Sequence, residues 1–182
     1  MGKPQEQISD ELAAWIERQR VFFVATAPLA QNGYVNCSPK GGDSFRIIDP
    51  LTVAYQDFTG SGVETIAHLR ENGRIVIAFC AFNGLPKIVR LHGKGEVVTQ
   101  AHSEFAKLSA YFPQNAGMRA VIRVKVMRVS DSCGFGVPFF DYRGDRDALD
   151  AWAEAKGLAK LKEYRKEKNT KSIDGLPGLD DP

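Results

Sequence analysis

The sequence is poor in cysteine and has no long hydrophobic run. Its three cysteines, Cys37, Cys80 and Cys133, are odd in number, far apart and never in a CxxC unit. They imply neither a disulfide framework nor a zinc ribbon, and free thiols fit a reducing, cytoplasmic setting. The longest apolar stretch, between Arg74 and Asn83, falls far short of the roughly 18–20 residues of a membrane-spanning helix. Residues 1–20 are polar and amphipathic, without an apolar core or cleavage site, so no secretory signal is expected. A surplus of either charge is missing too. Lys and Arg number 24 against 22 Asp and Glu, a net of +2. The basic run from Lys160 to Lys168 is interrupted by Glu163 and Glu167, which reads as a solvated helix face and not as a nucleic-acid arm. His68, His92 and His102 form no pair at metal-ligand spacing, and neither a Gly-x-Ser-x-Gly elbow nor a phosphate-loop GK[ST] is present.

What is present is an ordinary globular composition, 43% hydrophobic and 25% charged in 182 residues. That predicts a single domain over 1–168, large enough to bury a core without a metal, followed by an extended tail over 169–182. A helix is expected over 9–20, capped by Ser9, with Leu12, Trp15 and Ile16 on its apolar face. Short strands follow at 22–27, 34–39, 45–48 and 51–57, separated by Pro28, by Gln31-Asn32-Gly33, by Lys40-Gly41-Gly42-Asp43 and by Asp49-Pro50. A helix over 64–71 closes at Asn72-Gly73. Strands are expected over 74–82, buried on both faces, over 87–98, with a bulge or close approach at Gly93 and Gly95, and over 120–130, where Val121, Arg123, Lys125 and Met127 alternate with Ile122, Val124 and Val126. A helix over 103–111, a Gly/Pro/aromatic loop over 134–143 and a helix over 147–167 complete the chain. The Gly-, Pro- and Asp-rich tail is expected to lack regular structure. Short strands joined by tight turns favour a closed antiparallel barrel over a βαβ fold.

Three segments carry candidate chemistry. In Asn36-Cys37-Ser38-Pro39-Lys40-Gly41-Gly42 a strand ends in a hydroxyl, a lysine and two glycines, a combination that binds phosphate or else forms a plain surface hairpin. In Asp57-Phe58-Thr59-Gly60-Ser61-Gly62-Val63-Glu64-Thr65 a strand runs through a hydroxyl-rich loop into a helix start. Its N–H groups and dipole suit an anion, and Ser61 or Thr65 could equally cap the helix. In the third, Lys87 to Gly95, Arg90 shares a strand face with Ile88 and His92 and needs a polar or anionic partner if buried.

The run SPKGGDSF…DPLTVAYQDFTGSGVETIAHLRENGRIVIAFCAF…PKIVRLHGKGEVV resembles the pyridoxamine 5'-phosphate oxidase-related flavoproteins across residues 20–130. The resemblance implies a mainly β fold, a six- to seven-stranded antiparallel split barrel working as a homodimer, with FMN held between subunits. It also implies Ser38, Lys40, Thr59, Ser61, Thr65 and Arg90 near the FMN phosphate and ribityl chain, and a small-molecule substrate or nicotinamide as redox partner. Nucleic acid and membrane are not expected partners. The sequence departs from the oxidase itself. Val35-Asn36 stands where the oxidase has an arginine, Glu64 or Thr65 falls near its second phosphate-loop lysine, and its C-terminal Arg-x-His is missing. Flavin binding is therefore expected more than pyridoxamine phosphate oxidation. A flavin-dependent oxidoreductase, a non-enzymatic flavin or redox-sensing module, a haem or tetrapyrrole handler and a deazaflavin protein are the alternatives.

Overall fold

A computed structural model describes residues 5–180. Ser9 accepts the Leu12 N–H at 3.3 Å and starts helix α1 (Asp10–Glu17), whose Leu12 and Ile16 face the core. Seven strands follow: β1 (Val21–Thr26), β2 (Asn36–Gly41), β3 (Phe45–Asp49), β4 (Thr52–Phe58), β5 (Arg74–Cys80), β6 (Ile88–Val98) and β7 (Met118–Ser132). Helix α2 (Glu64–Asn72) lies between β4 and β5, α3 (Phe105–Ser109) between β6 and β7, and α4 (Ala148–Lys168) after β7.

The strands form one antiparallel sheet in the order β2-β1-β5-β6-β7-β4-β3. The curled sheet leaves β2 and β3 as unpaired edges, a barrel split along one seam. Its period of two separates an inner row from an outer one. Phe22, Val24, Tyr55, Ile77, Leu91 and Ile122 point inward and are almost fully buried, each contributing roughly 1.5–3 kcal/mol of apolar burial. Ala54, Val98 and Val121, on the outer face, pack with Leu108 and Phe112.

Several local expectations hold. Gly73 closes α2 with a left-handed φ of 70°, and the β6–β7 register shifts between His92 and Gly93. A Cβ on Gly93 would sit 2.3 Å from the Lys125 carbonyl oxygen, so the bulge depends on a bare Cα. Other expectations change. The helix expected over 103–111 shortens to α3, because tight turns (His102 N–H to Thr99 O, Phe105 N–H to His102 O) occupy its start. Strand β5 is buried on one face and half-buried on the other. Neither Ser61 nor Thr65 caps α2, whose N-cap position is Val63 with no side-chain cap. Helix α4 is broken at Gly157 (φ 71°, ψ 161°).

The tail forms no helix or strand where it is described, as expected, but it is held in place. Lys171 and Pro177 form an antiparallel bridge, the Gly178 N–H donates to Thr170 O, and the Leu179 N–H donates to Asn169 O. Leu179, 5% exposed, joins the barrel core. The tail's own backbone bonds fold it back on itself, and Arg70 and Glu64 of α2 tie it down through Gly178 O, Asp180 and the Ile173 N–H. Residues 181–182 of that expectation lie outside the described residues.

Candidate functional site

The site is built at the seam. On β2, Ser38 pairs across from Val24 and Lys40 from Phe22, so both side chains share the inward face. On β4, Asp57 continues the inward row of Val53 and Tyr55. A carboxylate there would be costly alone. Two cations satisfy it: Lys40 Nζ lies 3.1 Å from Asp57 Oδ1, and Arg119 Nε donates to Asp57 Oδ2 at 2.7 Å. Burial pushes the Asp57 carboxyl up, but the Arg119 and Lys40 charges and their hydrogen bonds outweigh it and hold the group below its usual value. Asp57 thus clamps an edge strand, β2, to β4 and β7 across the gap in the barrel.

The loop after β4 continues this cluster. Arg119 Nη1 donates to Gly62 O, the Thr59 hydroxyl donates to Gly117 O at 2.8 Å, and Arg165 Nε of α4 donates to Thr59 Oγ1 at 2.8 Å. Arg165 Nη2 also donates to Met118 O, and Asn169 Nδ2 to Gly60 O. Burial, then the Arg119 charge, lowers the Arg165 pKa. A cleft of about 640 Å³ opens beside Lys40 and Thr59, lined also by Arg20, Gln56, Tyr142 and Leu149; Arg119 and Arg165 are not part of its wall. Its volume falls within the range of roughly 300–1,000 Å³ common to small-molecule sites. The carboxylates on the cleft wall are each engaged, Asp43 by Arg46, Asp150 by Asn115 Nδ2 and Asp145 by the Tyr142 hydroxyl.

A second polar chain lies along the start of β2. Ser38 Oγ donates to Asn36 Oδ1, Asn36 Nδ2 donates to Thr65 Oγ1 at 3.0 Å and to Thr26 Oγ1 at 3.3 Å, and Thr26 Oγ1 bonds His68 Nδ1 at 2.9 Å. The tail reaches this chain. Asp174 accepts the Tyr34 N–H and lies 3.8 Å from His68 Nε2, while Glu64 accepts the Ile173 N–H.

The structure therefore draws together two loops that sequence reading treated separately. Ser38 connects to Thr65 through Asn36, and Lys40 connects to the Thr59 loop through Asp57 and Arg119. Ser61 is exposed at the tip of the second loop. Arg90 stands apart. It lies on the outer face of β6, in the row Pro39–Phe23–Ala78–Arg90, and donates to Ser132 Oγ at 3.1 Å. Three strand spacings, about 14 Å, separate it from β2, and the side chains of Ser38 and Lys40 leave the opposite face. Within one protomer it cannot share a ligand atom with Lys40. Asp57, Arg119 and Arg165 escaped the sequence reading. An acid on the inward phase of β4, two residues after Tyr55, is a signal that could have found Asp57. Arg165 sits in a basic run like any surface helix residue, and nothing in its neighbours marks it.

The pyridoxamine 5'-phosphate oxidase family model matches residues 8–133. A pyridoxamine 5'-phosphate oxidase family protein of Aspergillus flavus, ustO, is 41% identical over 191 residues, covering 96% of this chain and 76% of that protein. Among solved structures, Group A Streptococcus HupZ is 28% identical with a TM-score of 0.54, over 69% of this chain and 94% of that one. A Clostridium acetobutylicum protein related to general stress protein 26, of the pyridoxinephosphate oxidase family, has a TM-score of 0.52 at 13% identity. It covers 68% of this chain and 86% of that one and bears on the fold alone. The seven-stranded split barrel and these matches together assign the chain to the pyridoxamine 5'-phosphate oxidase family.

Proposed function

We propose that the protein is an FMN-binding oxidoreductase that works as a homodimer on a small molecule, with the phosphorylated end of the flavin in the cleft beside Lys40. The observation that carries this reading is the cationic cluster at the seam: Lys40 and Arg119 share a single carboxylate, Asp57, Arg165 lies close enough to Arg119 to feel its charge, and Lys40 lines a cleft of suitable size. A dianionic phosphate suits such a cluster. FMN, when bound, supplies the redox chemistry. The protein's part is to hold the phosphate through Lys40, to place the ring against the apolar wall of the cleft, Tyr142 and Leu149, and to exclude water there.

A partner subunit is supported by surface that one chain leaves uncovered. The accessible area of 10790 Å² exceeds the roughly 8,700 Å² of a typical 20.1 kDa monomer. Phe135 and Phe139 stand fully out from the 134–143 loop, each 81% exposed. Haem handling has less to recommend it. His68 is buried in the Thr26–Asn36 chain, and no histidine lines the cleft among the described residues.

Purified protein should be yellow, release FMN on denaturation and bleach under NADH or NADPH without oxygen. A colourless preparation with no affinity for added FMN refutes the flavin reading. Bound flavin that no nicotinamide reduces points to the non-enzymatic module. Sedimentation at the mass of one chain refutes the dimer.

A further inference from the structure

We infer that a second ligand subsite opens beside the cleft, between the end of α1 and the 134–143 loop, and that it takes a flat ring bearing a carboxylate, with Arg20 as the residue that pairs with the carboxylate. The loop lies beyond the segment matched by the family model. That this ligand is the substrate rests on the flavin reading; the pocket itself does not.

The pocket has about 260 Å³, below the roughly 300–1,000 Å³ of a drug-sized site, so it has room for one ring system and not for a whole dinucleotide. Phe82, Phe140 and Tyr142 give it aromatic walls, and Arg18, Arg20 and Asp141 give it charge. The loop is already seated on the barrel. Gly134 lies so close to Lys87 that a Cβ there would be 2.9 Å from the Lys87 backbone nitrogen. The Phe140 N–H donates to Phe82 O at 3.0 Å, and the Phe82 and Phe140 rings meet edge-on at 5.4 Å. A third ring can add to such a pair in the same edge or offset geometry. Phe135 and Phe139, the rings offered to a partner subunit, are not part of this wall.

Arg20 supplies the recognition of charge. Its guanidinium lies over the Tyr142 ring, 5.2 Å from the centroid, and makes no hydrogen bond or ion pair among the described residues. Tyr142 is held in turn by its hydroxyl on Asp145. Stacking occupies the face of the guanidinium and leaves its N–H edge, which matches a carboxylate through two parallel bonds. Arg20, Val21 and Tyr142 also line the 640 Å³ cleft, so a ligand held by Arg20 lies against the flavin cleft. Charge decides between acids. Two arginines against Asp141 leave a surplus of one positive charge, which a carboxylate balances and a dianionic phosphate exceeds.

The test titrates full-length wild type, Arg20→Gln, Arg20→Lys and Phe140→Ala with 2-naphthoate, 2-naphthylmethanol and 2-naphthyl phosphate, read by ligand fluorescence with and without added FMN. Wild type should bind 2-naphthoate more tightly than the other two. Arg20→Gln should weaken 2-naphthoate by about threefold or more at low salt, an exposed pair being partly screened, and leave 2-naphthylmethanol within about 1.5-fold. Arg20→Lys should recover part of the loss, and Phe140→Ala should weaken both ligands alike. The inference is overturned if wild type does not prefer 2-naphthoate or binds the phosphate ester more tightly. It is overturned equally if Arg20→Gln leaves 2-naphthoate unchanged or weakens both ligands alike, or if 2-naphthoate expels FMN. Binding of 2-naphthoate by a protein that takes up no FMN upholds the pocket and refutes the flavin reading alone.

Discussion

Replacing Asp57 with asparagine removes the buried negative charge that joins Lys40 and Arg119 across the seam. Asp57 is 1% exposed, the Arg119 side chain 6% and the Lys40 side chain 20%, so the substitution leaves two poorly solvated cations facing each other. Breaking a buried ion pair by removing one partner costs about 3–5 kcal/mol. The Arg119 arm should carry most of that, since water reaches Lys40. For a chain of this length about 2–4 °C of melting temperature goes with each kcal/mol, which places the expected drop at about 6–20 °C. Urea denaturation at pH 7 and thermal melting should both read it. The pH dependence gives a second check. The folded pKa of Asp57 lies below its unfolded value of about 3.9. Its contribution is therefore fully present above that value and lost as pH falls through the folded pKa. Asparagine has already lost it, so the gap between wild type and variant should narrow below about pH 4. A difference under about 1 kcal/mol at pH 7, or a gap that stays constant into acid, refutes the clamp.

Further outcomes follow from the same geometry. Lys40→Ala should weaken FMN binding more than Lys87→Ala, because Lys87 lies over the Trp15 ring, away from the cleft; equal affinities in a flavin titration remove Lys40 from the site. Leu179→Ala should cost about 2–5 kcal/mol in chemical denaturation, as for a core leucine, whereas a loosely held tail would register almost nothing. Gly93→Ala should lower stability by about 1–3 kcal/mol, since the new methyl meets the Lys125 carbonyl, and an unchanged melting temperature would place the bulge elsewhere.

Local physics was legible from residues alone. The Ser9 cap, the left-handed Gly73, the bulge at Gly93 and the alternation along β7 each depend on neighbours a few positions away, and each is found where it was expected. The 57–65 loop was legible as a polar strand-to-helix turn, but the role of its hydroxyls was not. Thr59 reads as a phosphate donor until Gly117 takes its proton and Arg165 takes its lone pair, from 58 and 106 residues away. The docking of the tail was hidden for a related reason. Its composition predicts a segment without regular structure, and only the barrel offers the pocket in which Leu179 is buried.

The sequence by itself determined the strand-rich pattern, the family and the two loops that frame the seam, because periodicity, turn chemistry and motif order are written in contiguous residues. Only the tertiary structure decided which side of each strand faces inward at the split, that Arg90 lies across the sheet from Lys40, and that Arg119 meets Asp57 and Arg165 meets Thr59. Those facts depend on how a sheet closes and which remote side chain satisfies a buried charge, a requirement of desolvation that no local spacing records.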